Sequence, residues 1–251
     1  MTQPLLVDLY PKDLGGKPDV AALVAAGSPW SGLILKVSQG LFCPSQIKGY
    51  TDEWLMKHGP LARTLAGERY GWDWWRGFYH YADVSKSASL QVDWFLRLVE
   101  KCGGWGRGDL WPMLDMEQAR NPEKPGRAHL EDWINTYADA MARKHGRRPT
   151  LYGNIYLWEN HVQGLCGCEN LILARYRPTL TPDKHERIGI PASKLLGWQY
   201  VGTQEPGRPP SIGPGGYPMI TPLSHERQDI TALVVEGGLE HLRAHTWAER
   251  P

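Results

Sequence analysis

The stretch that most constrains this chain is Leu110–Gln118, a short apolar run that ends in Asp115-Met116-Glu117. A run of this length is typical of a buried strand. Side chains alternate between the two faces of a strand, so Asp115 and Glu117 are expected on one face, roughly 6–7 Å apart. The two acids either cap the next helix and meet basic partners, or form a carboxylate pair for acid/base work on a glycosidic bond. The remainder of the chain decides between these interpretations.

Seven further apolar runs have the length of strands, and most are separated by segments with helical periodicity. Alternating strands and helices are typical of βα units around a parallel sheet. Helical segments become fewer after the fifth strand. The sequence therefore predicts an α/β fold, a single irregular TIM-like (β/α) barrel of about eight strands. With Leu110–Glu117 as the fourth, the other predicted strands are Pro4–Tyr10, Leu33–Ser38, Arg76–Ala82, Thr150–Asn154, Leu171–Tyr176, Leu195–Tyr200 and Gln228–Leu233.

Capping residues mark the boundaries of the two clearest helices. Ser85 or Ser87 is a candidate N-cap for a helix that continues to Cys102. The strongest amphipathic pattern begins at Leu130, and Gly146 is suited to end that helix. Two weaker helical segments are Tyr50–Ala66, expected to be interrupted near Gly59-Pro60, and Tyr156–Gln163.

Four acidic residues follow or flank the predicted strands: Asp8, Asp115, Glu117 and Asp229. In (β/α) barrels the chemistry lies at the carboxyl ends of the strands. We therefore expect these acids to converge in one groove. Asp229 stands near the start of its strand, so the Gly- and Pro-rich loop 202–222 would have to bring it to the site.

Length, charge and hydropathy exclude several other classes of protein. A chain of 251 residues without an evident linker or repeat fits one domain, 1–251. The formal net charge of +1 gives no reason to expect nucleic acid as a partner. No apolar run approaches the roughly 18–20 residues of a membrane span, and Met1–Pro4 shows no signal-peptide pattern. The four cysteines do not suggest a disulfide framework.

The chain is rich in amphipathic aromatic residues, with twelve Trp and eleven Tyr but three Phe. Such rings suit a surface that stacks on sugars, and they fill cores equally well. Lys36, a charge within the second strand, is either a buried partner of the acids or a ligand contact. His80, a lone histidine within a strand, is expected to be a hydrogen-bonded structural residue. The candidate glycan contacts are Tyr10, Tyr79, Tyr81, Tyr152, Trp198 and Tyr200, with Tyr81 and Tyr152 preferred.

Taken in order, these segments resemble the family 25 glycoside hydrolases, the muramidase-type lysozymes. The resemblance covers nearly the whole chain. Tyr10-Pro11 stands where the family has Trp-Gln, and the loop before Asp229 is longer than the family's. The segments that resemble family motifs are Leu6–Leu9 with its aspartate, the Lys-bearing Leu33–Ser38, Gly77–Tyr81, the Asp-x-Glu strand Met113–Glu117, Leu173–Tyr176, Gly197–Tyr200 and Gln228–Ile230.

The resemblance implies hydrolysis of the β-1,4 bond between N-acetylmuramic acid and N-acetylglucosamine in peptidoglycan. It implies that Glu117 is the general acid and Asp115 the second carboxylate. Asp115 is then either a nucleophile held ~5 Å from the acid, or it orients the substrate's own N-acetyl group, which is the route the family favours. Asp8 and Asp229 would position water and substrate. No metal and no cofactor is expected.

Two alternatives from other classes remain open: a glycosidase acting on another N-acetylglucosamine polymer such as chitin, and a catalytically silent sugar-binding barrel. The sequence has no Gly-x-Ser-x-Gly elbow and no Gly-Lys-Ser/Thr phosphate loop. The resemblance further implies a phage endolysin, expected to be a monomer that binds bacterial peptidoglycan without inserting into a membrane. Without a signal-peptide pattern, the chain is expected either to be made in the host cytoplasm and reach the wall after a membrane-permeabilising partner has acted, or to be a module excised from a larger protein.

Overall fold

The computed structural model describes residues 5–9, 31–41, 56–64, 75–117, 125–174, 188–201 and 229–232. Within these ranges the chain alternates between strands and helices. The strands are β1 (Leu5–Leu9), β2 (Gly32–Gln39), β3 (Trp75–Tyr81), β4 (Met113–Asp115), β5 (Thr150–Asn154), β6 (Asn170–Ala174), β7 (Leu195–Val201) and β8 (Asp229–Ala232). The helices are α1 (Ala88–Lys101), α2 (Arg127–His145) and α3 (Ile155–Asn160), with a helical segment at 56–64 and a 3-10 turn at Ala192–Lys194.

Strands β1 to β7 pair with one another in sequence order, and each of these pairs is parallel. Helices α1, α2 and α3 lie in the connections that follow β3, β4 and β5. The predicted α/β fold with a parallel sheet is therefore confirmed. β8 pairs with both β7 and β1, which closes the strand order on itself.

The last strand departs from the parallel arrangement that the sequence suggested. β8 runs antiparallel to β7 and to β1. Its first residue, Asp229, is the register partner of Asp8. The expectation that the last strand belongs to the parallel sheet is therefore wrong. The loop 202–222, which was expected to bring Asp229 to the site, lies outside the described residues. Reversal of the strand direction puts the start of β8 beside the carboxyl ends of the parallel strands.

Alternate residues along the strands build two apolar layers, as period-two side-chain geometry requires. Leu33, Leu35 and Val37 of β2 belong to an outer layer that also contains the buried faces of α1 and α2. Ile34 lies between them in sequence and belongs to an inner layer. The inner layer consists of Leu6, Ile34, Trp75, Tyr79, Leu110, Met113, Ile172 and Leu196, with Tyr152 packed against it.

The predicted caps of α1 and the predicted end of α2 are confirmed, whereas α2 begins at Arg127, three residues before the expected Leu130. The Ser87 hydroxyl accepts a hydrogen bond from the Leu90 amide, so Ser87 is the N-cap of α1, and Cys102 is its C-cap. Gly146 ends α2 in the left-handed conformation with φ of 79°, where a residue without a Cβ is favoured. None of the helices in the described part of the chain is long and apolar enough to cross a membrane.

The predicted interruption near Gly59-Pro60 is wrong, because residues 56–64 are helical throughout. Gly59 lets this helix approach α1 closely: a Cβ at that position would lie 2.9 Å from the carbonyl oxygen of Cys102. The Gly59 carbonyl also accepts a hydrogen bond from Arg76 over 2.7 Å. Tertiary contacts thus hold a segment whose local helix propensity is poor.

Near the amino ends of the strands, Arg76 and Asp109 form a buried ion pair. Arg76 Nε donates to Asp109 Oδ1 over 2.9 Å, and Nη2 donates to Oδ2 over 2.5 Å. The guanidinium also donates to the carbonyl oxygens of Gly59 and Gly104, while the Gly106 amide donates to Asp109 Oδ2. This network connects β3, the helical segment 56–64 and the loop that leads into β4.

Candidate active site

A cleft of about 290 Å³, partly open to solvent, lies on the inner face of the sheet. It takes at least one residue from each of six consecutive strands, β1 to β6. Three aliphatic or thioether side chains make it largely apolar, and two carboxylates and two tyrosines supply its polar groups. It is lined by Asp8, Ile34, Tyr79, Met113, Asp115, Tyr152 and Ile172.

Asp115 is the last residue of β4 and is the most buried of the acids in this region. Its side chain is 7% exposed, whereas Asp8 and Glu117 are half-buried. The Ala82 amide donates to the Asp115 carbonyl, and the Met116 amide donates to the Tyr152 carbonyl, each over 2.9 Å. The backbone that carries this carboxylate is therefore held from both sides, by β3 and by β5.

Glu117 lies two residues beyond the end of β4, which is shorter than the predicted strand. Met116 separates the two acids and is fully buried in the outer layer, while Asp115 lines the cleft on the inner side. Tyr81 is the register partner of Asp115, and its hydroxyl donates to Glu117 Oε2 over 3.4 Å. Both acids therefore border the carboxyl end of β3.

Lys36 of β2 is buried beneath the tyrosines of β3. Its side chain is 3% exposed, and Nζ lies 4.5 Å from the ring centroid of Tyr81 and 6.0 Å from that of Tyr79. A cation at these distances from a ring face is attracted by the ring's negative quadrupole. The structure thus brings together three of the residues that the sequence proposed as substrate contacts.

Gln199 belongs to the same region and was not among the residues singled out from the sequence. It is fully buried on β7, and its Oε1 accepts a hydrogen bond from the Tyr152 hydroxyl over 2.5 Å. The sequence feature that could have identified Gln199 is its primary amide, which stands within an apolar strand between Trp198 and Tyr200. A buried amide needs hydrogen-bond partners, so its presence indicates a specific polar contact.

His80 is a structural residue, as predicted. It lies between β3 and the helices, where its ring stacks on Tyr137 with 5.5 Å between centroids. Nε2 lies 2.8 Å from Oε1 of Gln91, which can only accept, so the imidazole proton is on Nε2. Ser38 then donates to Nδ1 over 2.7 Å. Burial, aided by the positive charge of Lys36, lowers the pKa of His80 to about 4, so the ring is neutral near pH 7.

Three further candidates are described at the level of the backbone. Trp198 and Tyr200 lie on β7, and Asp229 begins β8, opposite Asp8. The side chains of these three residues, and all of Tyr10, lie outside what the structure describes. Their contacts with a glycan stay predictions.

The cysteines within the described ranges are free thiols, Cys102, Cys166 and Cys168. Burial raises the pKa of Cys166 to about 12, and burial also raises the pKa of Cys168. Such thiols stay protonated and react poorly as nucleophiles. In the same ranges, no three His, Cys, Asp or Glu side chains are grouped so that they could hold a metal ion.

A sequence model of the glycosyl hydrolases family 25 matches residues 63–206 of this chain. A protein of Escherichia coli, described as uncharacterized protein YegX, is 28% identical over 90 residues. That match covers 36% of this chain and 30% of the other protein, so the aligned part spans less than a third of this relative's length.

Solved structures resemble this fold over nearly its full length. A family 25 glycosyl hydrolase from Bacillus anthracis has a TM-score of 0.65 and 16% identity, with 98% of this chain and 94% of that chain covered. A muramidase from Trichobolus zukalii has a TM-score of 0.62 and 22% identity, with coverage of 97% and 98%. The catalytic domain of endolysin ply40 from bacteriophage P40 of Listeria monocytogenes has a TM-score of 0.62 and 17% identity, with coverage of 96% and 98%. With a family model that matches more than half of its residues, this chain belongs to the glycosyl hydrolases of family 25.

Proposed function

We propose that the protein is a peptidoglycan hydrolase, an N-acetylmuramidase that cleaves the β-1,4 bond between N-acetylmuramic acid and N-acetylglucosamine. The observation that carries this proposal is the cleft in which Asp8 and Asp115 share a lining with Tyr79 and Tyr152. Carboxylates stabilise the positive charge that develops on a sugar ring during glycosidic cleavage. Tyrosine rings present both an apolar face and a hydroxyl, which suits contact with a glycan.

Glu117 has the proposed role of general acid. Glu117 is half-buried, accepts a hydrogen bond from the Tyr81 hydroxyl, and follows by two residues Asp115, which lines the cleft. It would protonate the departing glycosidic oxygen and afterwards draw a proton from the attacking water. Asp8 and Asp229 would position that water and the substrate.

Asp115 would respond to the charge that forms at the anomeric carbon, by one of two routes. In the first, the N-acetyl group of the substrate attacks and Asp115 orients its amide, which stabilises the charged ring that results. In the second, Asp115 itself forms the bond to the sugar. The substrate-assisted route is favoured by the family resemblance, and burial of Asp115 at the cleft suits contact with an uncharged amide.

The choice of peptidoglycan as substrate is supported by similar structures described as muramidases and endolysins. Mass spectrometry of muropeptides released from purified cell walls tests it. New reducing ends on muramic acid are the expected product. New reducing ends on glucosamine, or cleaved peptides, would contradict the proposal, and faster hydrolysis of chitin oligosaccharides would favour the alternative glycosidase.

We further infer that residues 1–251 act as one catalytic domain, an irregular TIM-like barrel, and that the protein acts as a monomer. The likeness to a phage endolysin domain supports a role in lysis of the bacterial wall. In that role the protein would be made in the host cytoplasm, would neither bind nucleic acid nor insert into a membrane, and would reach peptidoglycan with the help of a membrane-permeabilising partner.

A further inference from the structure

Lys36, Tyr81 and Glu117 form a contiguous chain of contacts from a buried ammonium on β2 to the carboxyl that follows β4. The ammonium of Lys36 lies 4.5 Å from the centre of the Tyr81 ring. The hydroxyl of the same ring donates to Glu117 Oε2 over 3.4 Å. A single tyrosine thus has a buried cation at its ring and the candidate acid at its hydroxyl.

An irregularity in the sheet accompanies this arrangement. Lys36 pairs with Tyr79, but beyond it the register shifts, so that Gln39 rather than Ser38 pairs with Tyr81. An extra residue in one strand bends that strand and redirects its side chains, a device frequent beside active sites. Because of the shift, β2 advances one residue relative to β3 at the level where Tyr81 reaches Glu117.

We propose that Lys36 is a positioning residue that acts on Glu117 through Tyr81. This inference rests on the proposed role of Glu117 as general acid. A buried cation at the ring holds Tyr81 in one orientation and draws electron density from the phenol, which makes its O–H a better donor. That donor holds the Glu117 carboxyl in one rotamer.

Other charged groups lie near this chain of contacts. Asp8 and Asp115 line the neighbouring cleft, and Asp229 begins β8 opposite Asp8. His80 lies behind the sheet and is neutral near pH 7, and Asp83 follows β3 on the loop that Gln91 holds.

A double-mutant cycle separates action through Tyr81 from direct action of the cation on the acids. The variants are Lys36→Met, Tyr81→Phe and the pair together, with Lys36→Arg as the variant that keeps a cation. Tyr81→Phe retains the ring above Lys36 and removes only the hydroxyl. Lys144→Met, which removes a half-exposed lysine on α2, is the matched control.

The first measurement is kcat and KM for soluble peptidoglycan fragments across the pH range. We expect Lys36→Met and Tyr81→Phe each to lower kcat roughly 10-fold, the size of one lost hydrogen bond to a charged group, with KM within about twofold. Lys36→Arg should retain more of kcat than Lys36→Met.

The double variant should be no slower than Tyr81→Phe alone, because Lys36 loses its route to Glu117 once the hydroxyl is gone. Fully additive losses would overturn the proposal and show that the cation acts directly on the carboxylates. A rise in KM with unchanged kcat would overturn it in favour of a substrate contact.

The second measurement does not depend on the substrate. In protein labelled with ¹³C at glutamate carboxyls, the Glu117 resonance at fixed pH should move in Lys36→Met and in Tyr81→Phe and stay in place in Lys144→Met. If the parent enzyme cleaves no peptidoglycan but these resonance changes occur, the proposed function fails and the coupling stands. An unmoved Glu117 resonance in the folded variants overturns the coupling. Should Lys36→Met not fold, an unmoved resonance and an unchanged kcat in Tyr81→Phe are sufficient to overturn it.

Discussion

Asp229 is the register partner of Asp8 across the antiparallel pair of β8 and β1. In a fully parallel sheet the first residue of a strand lies at the amino end of the sheet, far from the last residues of the neighbouring strands. The reversed direction of β8 instead brings the backbones of these two aspartates side by side, at the end of the barrel where β4 presents Asp115. Two acidic residues that are 221 positions apart in this chain thereby share one end of the sheet.

The first prediction concerns the proposed acid. Glu117→Gln keeps the shape of the side chain and removes the transferable proton, so hydrolysis of peptidoglycan should fall by roughly 10²–10⁴-fold. Binding of the glycan should persist, since an amide can still hydrogen-bond the bridging oxygen. The measurement is the rate of clearing of a cell-wall suspension, beside a sedimentation assay for wall binding and a thermal melt.

Glu100→Gln on α1 is the matched control, because Glu100 is exposed on a helix outside the cleft and its loss should leave the rate unchanged. Asp115→Asn should cause a large loss of activity, because the proposed role of this carboxylate is to stabilise positive charge in the transition state. Asp8→Asn should be milder if Asp8 only positions water and substrate. A folded Glu117→Gln variant that clears walls at the parent rate rules out Glu117 as the acid.

The second prediction concerns the hydrogen bond between Tyr152 and Gln199. Gln199→Met keeps the side-chain length but removes the acceptor, so the Tyr152 hydroxyl loses its partner and the ring is less well held at the cleft. We expect kcat/KM to fall roughly 10-fold, in line with one hydrogen bond of about 1–1.5 kcal/mol. Steady-state kinetics on peptidoglycan fragments provide the measurement.

Tyr152→Phe removes the other half of the same interaction. The two losses should not add in the double variant, since either substitution already breaks the bond. Additive losses would mean that Tyr152 and Gln199 serve the reaction independently, and the positioning role of Gln199 would then be abandoned.

The third prediction concerns the pH dependence of stability through His80. The pKa of His80 is about 4 in the folded protein and about 6.5 in an unfolded chain. Below pH 6.5 the unfolded chain therefore binds a proton that the native protein does not. Stability from this residue is complete above pH 6.5 and is lost as the pH falls to about 4, by roughly 3 kcal/mol. His145, whose pKa is also lowered to about 4, acts in the same direction.

Urea denaturation between pH 4 and 7 measures this slope. His80→Gln removes the titrating group, so its free energy of unfolding should decline less steeply with falling pH than that of the parent, whatever its stability at pH 7. His129→Gln is the control, because His129 is exposed on α2. If the free energy of unfolding changes equally with pH in the parent and in His80→Gln, burial and the hydrogen bonds with Ser38 and Gln91 do not lower the pKa of His80.

The fourth prediction concerns the ion pair at the opposite end of the barrel. Arg76→Met leaves Asp109 buried without its bidentate partner, which should cost roughly 3–5 kcal/mol of unfolding free energy. Arg76 lies five residues before Tyr81 on β3, roughly 16 Å from it along the strand. The kcat of the protein that remains folded should therefore be close to that of the parent.

The double variant Arg76→Met, Asp109→Leu should recover part of this loss, since it removes both charges rather than one. Urea denaturation and kinetics at 15–20 °C would be compared for all three proteins. A single variant as stable as the parent would contradict the view that this pair holds the helical segment 56–64 against β3. A large fall in kcat at full folding would mean that the two ends of the barrel are coupled.

Features that depend only on neighbouring residues could be predicted from the order of amino acids. The alternation along β2 separates Ile34 from Leu33 and Leu35, so the two apolar layers follow from the order of side chains alone. Ser87 and Gly146 begin and end their helices through contacts and backbone angles within one turn. The acidic residues at strand ends could be identified for the same reason, since a carboxylate directly after an apolar run is a local sequence pattern.

Features that join distant parts of the chain depend on tertiary contacts and could not be predicted in this way. Residues 228–233 do not indicate that β8 runs antiparallel, because the direction is defined by its pairing with β1 and β7, which are distant in sequence. Helix 56–64 continues through Gly59-Pro60 because Arg76, 17 residues away, binds the Gly59 carbonyl. Tyr152 hydrogen-bonds Gln199, 47 residues away in sequence, and Tyr81 hydrogen-bonds Glu117, 36 residues away. Local periodicity places such side chains on a face, but only the closed pairing of strands selects the partner that meets each one.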